Sequence, residues 1–453
     1  MTALSRRGET SATRALAACV RDLAWEDLPE EAREVARHCV LDLLGCAIAG
    51  AREPLVEILA DEFAGDAAST RCGLIGRAER ASPATAALVN GAAAHALDFD
   101  DTHWTMNGHP TAPVLPALLA LAERERASGP ALATALVAGI ELECRLGALL
   151  GAGHYEAGFH ATGTLGAFGA AAACAHLLRL GEHEWLHALG LAGTQAAGLK
   201  SSFGTMAKPL HAGRAAQAGL VAALLARRGF TAQPAIVEVA QGFAGTHAGE
   251  KPDLARLDRY EDRFLVRDTL FKYHAACYLT HAAIDAARAL RDQHAIAPDE
   301  VERVEVTVAP VALGVCNIAE PATGLEGKFS LRVATALALL GADTADLGTY
   351  SDARMADPPL VKMRDRVEVR VLSGLRATQS VVRIAARARS FEREMDSGVP
   401  AADLAEQRQR LAAKFAALAA PRLGRKHASR LEEMALGVDA LARASLLVDA
   451  TRE

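Results

Sequence analysis

The hydrophobic positions along most of the chain recur at the spacing of an α-helix. Between residues 27 and 49, apolar residues follow one another at intervals of three and four, which predicts an amphipathic helix with one buried face. Asp27 is the candidate N-cap of this helix, because Pro29 would then lie in the first turn and Glu30 at its third position. The same spacing predicts further helices at residues 83–97, 113–127, 130–150, 163–179, 184–198 and 212–229.

The pattern changes after about residue 268. Valines alternate with charged or polar residues at 304–308 and again at 367–371, and this period of two is typical of a strand with one buried face. A third β-like run covers residues 378–385, and helical runs are predicted near 277–292, 328–340 and 357–364. This section is therefore predicted to be α+β. Helical spacing returns from about residue 400, at 404–418 and 425–447.

The length and composition favour two domains packed mainly from helices. A chain of 453 residues exceeds the size at which one hydrophobic core usually stops growing. Hydrophobic residues make up 51% of the chain but aromatic residues only 4%, which favours close packing of small-residue helices. We predict a mainly α fold. A large all-α helical domain is formed by both termini, residues 1–267 and 397–453, and a smaller α+β domain, residues 268–396, is inserted between them.

The charges and cysteines narrow the class of partner. The net charge is −6, and the 49 basic residues are interspersed with 55 acidic ones without a basic stripe that could follow a phosphate backbone. The N-terminal segment Met1–Glu9 is charged, and no apolar run reaches membrane-spanning length. The eight cysteines lack the spacing of a zinc or iron–sulfur site, which predicts reduced, mostly buried thiols. We expect a cytoplasmic protein without a metal site and without nucleic-acid or membrane partners.

Segment 95–110 is the first candidate for chemistry. It carries three aspartates directly after a helix of small residues, where the negative end of the helix dipole makes carboxylates locally unfavourable. Carboxylates placed against the helix dipole in this way are typical of a functional site, although a solvated acidic turn is the alternative. Asp98 and Thr102 are expected to orient one another or a neighbouring imidazole, and His109 lies in a loop constrained by glycine and proline.

Two helix starts form further candidates. His160 directly precedes a helix, where backbone N–H groups bind anions and a histidine adds a proton or a charge. Lys208 precedes Pro209, which disfavours helical geometry in the residue before it, so Lys208 is predicted in an extended connection ahead of a helix at 212–229. A structural histidine and a surface lysine are the alternatives. At the start of the inserted domain, Lys272 and His274 are expected to reach a cleft between domains.

Together these segments resemble the MmgE/PrpD family, which includes 2-methylcitrate dehydratase, cis-aconitate decarboxylase and iminodisuccinate epimerase. The resemblance covers nearly the whole chain and lies in segments 41–46, 95–110, 160–166, 208–214, 271–285 and 328–331. It implies a large all-α domain with an α+β lid, a homodimer, and catalysis without a metal or an organic cofactor. Positions that match the active site of the decarboxylase branch are Asp98, Thr102, His109, His160, Lys208 and Lys272.

The chain departs from the family pattern at two lid positions. His274 follows Tyr273 where the family often carries proline, and Arg332 lies in Leu-Arg-Val where the family carries Leu-Pro-Tyr. Residues in such a cleft select the substrate, so both are candidate substrate-binding residues. Because arginine pairs with carboxylates, Arg332 is expected to favour a substrate with an additional or differently placed carboxylate.

The predicted activity is proton abstraction or return next to a carboxylate of a small di- or tricarboxylic acid. His109, Lys208 and Lys272 would bind carboxylates and stabilise developing charge, with His160 or Lys208 as the acid or base and with Asp98 and Thr102 orienting it. The prediction is a lyase, a dehydratase or decarboxylase of a citrate- or aconitate-like acid. The alternative is an epimerase of a substituted succinate such as iminodisuccinate.

Two other classes of protein compete with this prediction. A magnesium-dependent α-helical enzyme would use the carboxylates of Asp98 to Asp101 as metal ligands, but the low aromatic content opposes it. A non-catalytic helical interaction protein would have no need for cations at successive helix starts.

Overall fold

The computed structural model describes residues 11–64, 72–249 and 252–452, and the chain divides into two compact units. Unit 1 comprises Met1–Phe271 and Ala402–Glu453, and unit 2 comprises Lys272–Ala401. The chain thus passes between units after Phe271 and after Ala401, where the sequence predicts domain boundaries after residues 267 and 396. The prediction for Met1–Glu9 lies outside the described residues. The predicted mainly α fold with a small sheet-containing part is confirmed.

The N-terminal part of unit 1 consists of helices and a short antiparallel ribbon. The helices are α1 (Ala12–Val20), α2 (Glu30–Gly50), α3 (Pro54–Phe63), α4 (Pro83–His95), α5 (Thr111–Glu125), α6 (Gly129–Leu150), α7 (Ala152–Glu156), α8 (Ala161–Leu177), α9 (Glu182–Gly193), α10 (Ala207–Ala226) and α11 (Phe243–His247), and the ribbon pairs β1 (Cys72–Gly73) with β2 (Arg80–Ala81). Every helix predicted between residues 27 and 229 is present, with ends that differ by a few residues.

The start of α2 corrects one prediction. Asp27 ends a short 3₁₀ helix, Trp25–Asp27, and does not cap α2. Leu28 is extended (φ −77°, ψ 135°), as expected for a residue before proline, and this ends any helix begun upstream. Pro29 therefore takes the N-cap position, and Glu30 and Glu31 lie in the first turn, where their charges complement the helix dipole.

Helix α8 forms the buried centre of unit 1. It packs against α5, α6, α9 and α10, and each of its residues from 161 to 175 is buried. Its glycines allow this close packing: a Cβ at Gly166 would lie 2.5 Å from the ring of Pro113, and one at Gly169 would lie 2.5 Å from Glu143 Oε2. The small-residue sequence of α8 is therefore a packing requirement, and it brings α10 close to the helix start at residue 160.

Unit 2 combines a four-stranded sheet with short helices. Its elements are α12 (His281–His294), β3 (Val301–Val308), α13 (Val311–Val315), α14 (Gly324–Gly327), α15 (Leu331–Leu339), α16 (Asp352–Met355), α17 (Pro358–Arg364), β4 (Val367–Val371), β5 (Gln379–Ala386) and β6 (Arg389–Asp396). The strand order is β4-β3-β5-β6, with β3 and β4 parallel and the other pairs antiparallel. Helix α12 packs against β5 and β6, and α15 packs against β4.

The C-terminal part of the chain returns to unit 1 as α18 (Leu404–Leu423), α19 (Arg425–Leu436) and α20 (Ser445–Asp449). Helix α18 packs along α2, and the two are joined by a buried ion pair in which Lys414 Nζ lies 2.5 Å from Asp42 Oδ1. The same ammonium donates to the carbonyl oxygen of Phe99 at 2.6 Å. Burial alone would lower the pKa of Lys414, but the carboxylate of Asp42 outweighs it and the pKa is raised. Lys414 thereby holds the backbone of segment 95–110 at Phe99.

Within the described residues, no helix combines the length and the apolar character that crossing a membrane requires. All eight cysteines are free thiols, and six of them are buried, in agreement with the prediction.

Candidate active site

A buried carboxylate shared by two imidazoles lies at the end of α4. His95 is the last residue of α4, and its Nδ1 lies 2.9 Å from Asp100 Oδ1. His109 Nδ1 lies 3.2 Å from the other oxygen, Oδ2. Burial opposes ionisation of Asp100, but the imidazoles of His109 and His95 outweigh it and hold its pKa well below the ordinary value. Burial also lowers the pKa of His95 to about 4, although Asp100 opposes this.

The side chain of Asp98, in the segment after α4, contacts both His109 and Lys208 of α10. Its Oδ1 lies 3.5 Å from His109 Nε2, and its Oδ2 lies 2.8 Å from Lys208 Nζ. The backbone of Asp98 is left-handed (φ 50°), a conformation that aspartate and asparagine tolerate better than most residues. The side chain of Asp98 contacts Lys208 of α10, whereas Asp100, two residues later, contacts His95 at the end of α4.

Lys208 lies inside the first turn of α10, which corrects the prediction of an extended connection. The helix begins at Ala207, so Lys208 is its second residue and Pro209 its third. The N–H groups of a first helical turn have no acceptor within the helix, so a proline there loses no hydrogen bond. Because α10 starts this early, Lys208 and His211 are three residues apart on one helical face.

His160 is the N-cap residue of α8 and is almost fully buried, with 2% of its surface exposed. Its backbone N–H donates to the carbonyl oxygen of Gly198 at 3.0 Å. The ring stacks on His95 with 5.8 Å between centroids and meets the edge of Phe203 at 4.9 Å. Its Nδ1 lies 3.0 Å from Nδ1 of His211.

The electrostatic surroundings of His160 favour its neutral form. Burial lowers the pKa of His160 far below its ordinary value, and the positive charges of His95, Lys208, His109 and His211 act in the same direction. The negative charge of an anionic ligand would oppose these effects and favour protonation of His160.

Thr102 supports the loop that carries His109. Its backbone forms an antiparallel bridge with Leu270, and its hydroxyl donates to the carbonyl oxygen of Gly108 at 3.2 Å. The N–H of His109 donates to the hydroxyl of Thr162, in the first turn of α8, at 3.0 Å. A Cβ at Gly108 would lie 3.0 Å from the backbone nitrogen of Thr162, so the loop approaches α8 closely only with glycine at this position.

Unit 1 therefore brings together four of the predicted site residues, Asp98, His109, His160 and Lys208. A neutral imidazole beside an ammonium and a second imidazole can move a proton at a carbon next to a carboxylate, while the cations stabilise the charge that develops on that carboxylate.

Two family domains match the chain over most of its length. The N-terminal domain of the MmgE/PrpD family matches residues 14–255, and the C-terminal domain of the same family matches residues 274–440. The chain belongs to the MmgE/PrpD family.

Among curated proteins, this MmgE/PrpD chain is similar to several named cis-aconitate decarboxylase. The protein from Mus musculus is 31% identical over 315 residues, which are 66% of this chain and 64% of the relative. The protein from Homo sapiens is 29% identical over 372 residues, 79% of this chain and 76% of the relative. The protein from Aspergillus terreus is 32% identical over 290 residues, 60% of this chain and 59% of the relative. The mouse and fungal alignments thus span less than two thirds of those relatives.

A cluster of possible metal ligands coincides with this site. In the described parts of the MmgE/PrpD chain, ligand atoms of His95, Asp98, Asp100 and His109 all lie within 4.8 Å of one another. The donor set fits a metal poorly, because the ammonium of Lys208 already occupies Asp98 and a cation beside it would be repelled. We therefore interpret the cluster as a network of acids, bases and their counter-ions.

Asp101 does not join that cluster. Its carboxylate accepts hydrogen bonds from the backbone N–H and the hydroxyl of Thr111, at the start of α5. Burial, and after it the negative charge of Asp42, raises the pKa of Asp101 to about 8. The aspartates of segment 98–101 thus point to different partners, which also weakens the magnesium-dependent alternative.

The predicted substrate-binding residues of unit 2 are described within that unit. Lys272 is buried, with 4% of its surface exposed. His274 is fully buried, with Nδ1 at 2.7 Å from Thr344 Oγ1 and Nε2 at 3.2 Å from Asp285 Oδ1. Arg332, in the first turn of α15, donates from Nη1 to Asn317 Oδ1 at 2.7 Å. These contacts give His274 and Arg332 partners inside unit 2.

Three residues of the site were not predicted as functional from the sequence: His95, Asp100 and His211. All three lie inside segments that carry the family resemblance. A helix predicted over residues 207–214 would have placed His211 beside Lys208. Pro209 led instead to the prediction of an extended segment there. The pairing of His95 with Asp100 has no signal in the sequence, because it depends on how the chain turns after α4.

Proposed function

We propose that this protein is a lyase that releases carbon dioxide from an unsaturated tricarboxylic acid of the cis-aconitate class. The observation that carries the proposal is the meeting, in unit 1, of neutral His160 with the Lys208–Asp98 pair and His109. The names of the similar mouse, human and fungal proteins support the same reaction class. They favour a lyase over the epimerase alternative.

The proposed mechanism uses the cations to hold a polyanion. Lys208 and His109 bind carboxylates of the substrate and stabilise the enolate that remains when the carbon–carbon bond to the leaving carboxylate breaks. The electron pair of that bond stays on the carbon chain, and carbon dioxide departs. A proton from His160 or Lys208 then forms the new carbon–hydrogen bond. Asp98 orients Lys208, and Thr102 acts through the backbone of the loop that carries His109.

The test is a product assay on the purified protein. Cis-aconitate, citrate, 2-methylcitrate and iminodisuccinate are each incubated with it in deuterated water, and carbon dioxide and organic products are measured by gas analysis and proton NMR. We expect the wild type to release carbon dioxide from cis-aconitate and to incorporate one solvent deuteron into the product. His160→Ala should neither release carbon dioxide nor incorporate deuterium. Water loss from 2-methylcitrate without carbon dioxide release would instead identify a dehydratase. A folded protein inert toward all four acids would reject the proposal.

Lys272, His274 and Arg332 remain proposed substrate-binding residues. For Arg332 the proposal is selectivity: an arginine–carboxylate contact is worth enough to change relative activity about tenfold. Arg332→Leu should lower kcat/KM for tricarboxylates relative to dicarboxylates, whereas Asn317→Ala, which removes the acceptor of the Arg332 guanidinium but keeps its charge, should change this ratio less. An unchanged ratio in Arg332→Leu would remove this residue from substrate selection.

The proposal also includes a cytoplasmic location and a homodimer. The free thiols agree with a reducing compartment, and the homodimer rests on the family resemblance. Sedimentation velocity should give twice the 47.5 kDa of one chain. A monomer at micromolar concentration would contradict the homodimer.

A further inference from the structure

The proposed reaction consumes one proton for each carbon dioxide released. The carboxylate leaves as neutral carbon dioxide and its bonding electrons stay on the carbon chain, so a proton must be added there. If His160 supplies it, the ring must first become an imidazolium with protons on both nitrogens. This state is unfavourable in a buried site beside the ammonium of Lys208, so the partner that faces each ring nitrogen matters.

That partner at Nδ1 is His211. The two Nδ1 atoms lie 3.0 Å apart, with ring centroids separated by 5.3 Å. A hydrogen bond between two such nitrogens requires that one carries the hydrogen and the other a lone pair. Only when His211 accepts can His160 gain a proton at Nε2 and lose it again without any other hydrogen moving. If His211 donated instead, the Nδ1 of His160 could not hold a hydrogen.

Two glycines, Gly198 and Gly163, leave room for the ring of His211 beside that of His160. Gly198 has φ 148°, and a Cβ on it would lie 3.3 Å from the ring of His211 and 3.5 Å from Cβ of His160. A Cβ at Gly163 would lie 3.1 Å from Cβ of His211. Two glycines thus leave the space in which the rings meet. Since Lys208 and His211 share one face of α10, the same helix supplies the substrate-binding cation and the acceptor for His160.

His211 also lines a cavity. The cavity measures about 500 Å³ and is lined by Gly163, Gly198, Ser202, His211 and Arg214 among others. The ring of His211 is partly exposed, and the contact with His160 is the only hydrogen bond found for it in the described parts of the chain. An Nε2–H directed to water in this cavity leaves the lone pair on Nδ1, which is the tautomer that the acceptor role requires.

We propose that His211 is a positioning residue for catalysis: its Nδ1 accepts the Nδ1–H of His160 and so keeps Nε2 of His160 available to carry the proton to the substrate. This inference rests on the proposed function and assigns His160, not Lys208, as the proton donor. Histidine–acceptor pairs of this kind fix the tautomer and the orientation of a catalytic imidazole, usually with a carboxylate as the acceptor. Here a neutral imidazole takes that place, so no extra negative charge competes with an anionic substrate.

The acceptor role also predicts a pH dependence. A protonated His211 would turn an N–H toward the N–H of His160, so the imidazolium of His160 could not form. Activity therefore falls when His211 is protonated at acidic pH. Burial and the charges of His95 and Lys208 lower the pKa of His211, so this loss lies below 6.5. The groups that face the pair are His95, His109 and Lys208 around His160, and His95 and Lys208 around His211.

The experiment compares His211→Ala with His211→Asn. The Oδ1 of asparagine lies near the position of the histidine Nδ1 and can accept the same hydrogen bond, but it does not titrate. We expect His211→Ala to lower kcat at least about 100-fold with KM changed less than threefold, as for loss of a well-placed acid. His211→Asn should recover most of kcat at neutral pH and should lose the acidic fall in activity. Ser202→Ala, which changes the same cavity wall, is the matched control and should behave as wild type.

Each other outcome counts against the inference. If folded His211→Ala keeps kcat within threefold of wild type, or if His211→Asn is as slow as His211→Ala, the acceptor role is wrong. An acidic fall in activity that is unchanged in His211→Asn also rejects it. Circular dichroism and thermal melting check folding, and the asparagine variant alone decides if the alanine variant does not fold. A wild-type protein that releases no carbon dioxide rejects the proposed function itself, whereas active wild type with active His211→Ala rejects only the role of His211.

Discussion

The ammonium of Lys208 and the carboxylate of Asp98 lie 2.8 Å apart, and the other oxygen of the same carboxylate lies 3.5 Å from His109. One aspartate in a left-handed turn thus contacts both side chains that the proposed mechanism assigns to substrate carboxylates. In the proposed mechanism, Asp98 limits where these two side chains can move when a polyanionic substrate binds.

Replacement of Asp98 by asparagine should separate charge from backbone geometry. Asparagine tolerates the left-handed conformation of Asp98, so we expect the melting temperature to change little. Turnover should fall by about 100-fold, because Lys208 and His109 lose the anion that orients them. Steady-state rates of carbon dioxide release and thermal melting provide the two measurements. A rate within threefold of wild type would show that the orientation of these cations does not depend on Asp98.

Loss of Lys208 should abolish turnover while the fold persists. Its ammonium lies at the site and contacts Asp98 and the ring of Phe203, so its removal takes away charge without opening a core cavity. Lys200 is the matched control: its ammonium contacts the carbonyl oxygen and the ring of Tyr155. We expect Lys208→Ala to be inactive and Lys200→Ala to be active in the same assay. Near-normal kinetics in folded Lys208→Ala would remove this lysine from the site.

Chelation tests the interpretation of the histidine–aspartate cluster. The four donors His95, Asp98, Asp100 and His109 lie close enough to hold a metal, but Lys208 already pairs with one of them. We expect full activity after exhaustive dialysis against EDTA and no gain on addition of Mg²⁺, Mn²⁺ or Zn²⁺. Loss of activity that a divalent metal restores would revive the metal-dependent alternative.

Asp101 should make stability depend on pH. Its pKa is raised from 3.8 to about 8, so between these values the unfolded chain loses a proton that the folded chain keeps. Wild type therefore loses roughly 1.4 kcal/mol of unfolding free energy from this group for each pH unit gained in that window. Asparagine cannot ionise, so the stability of Asp101→Asn relative to wild type should rise by the same amount per unit. Urea denaturation at pH 5, 6 and 7 measures it. A difference that does not vary with pH would mean that Asp101 is ionised in the fold.

The sequence predicts the elements of this fold well because their periodicity is local. The apolar spacing from residue 83 to residue 150 marks three helices of unit 1, and the alternating valines mark β3 and β4. Strand β6 has no such signal, since its sequence is largely charged and exposed. Its hairpin turn, Arg387–Ala388, adopts φ of 56° at both residues without the glycine or asparagine that usually marks such a turn.

The candidate site was predictable only in part. Asp98, His109, His160 and Lys208 stand out in sequence because each lies at a helix end or in a constrained loop. Which aspartate faces which partner was not predictable, because Asp98, Asp100 and Asp101 are sequence neighbours that the turn after α4 sends in three directions. The general rule for residues before proline predicts an extended conformation at Lys208, but Lys208 is helical. For this reason the proximity of His211 to Lys208 was not predicted.

The ion pair between Lys414 and Asp42 can form only late in the synthesis of the chain. The two residues are 372 positions apart, so at ~5–20 residues per second Asp42 waits roughly 20–75 s for its partner. Until α18 leaves the ribosome, Asp42 lacks the ammonium of Lys414, and the carbonyl oxygen of Phe99 lacks the hydrogen bond that this ammonium donates. A nascent chain that already contains every proposed site residue therefore still lacks this contact, and a product of premature termination before α18 would carry those residues without the hydrogen bond that Lys414 donates to Phe99.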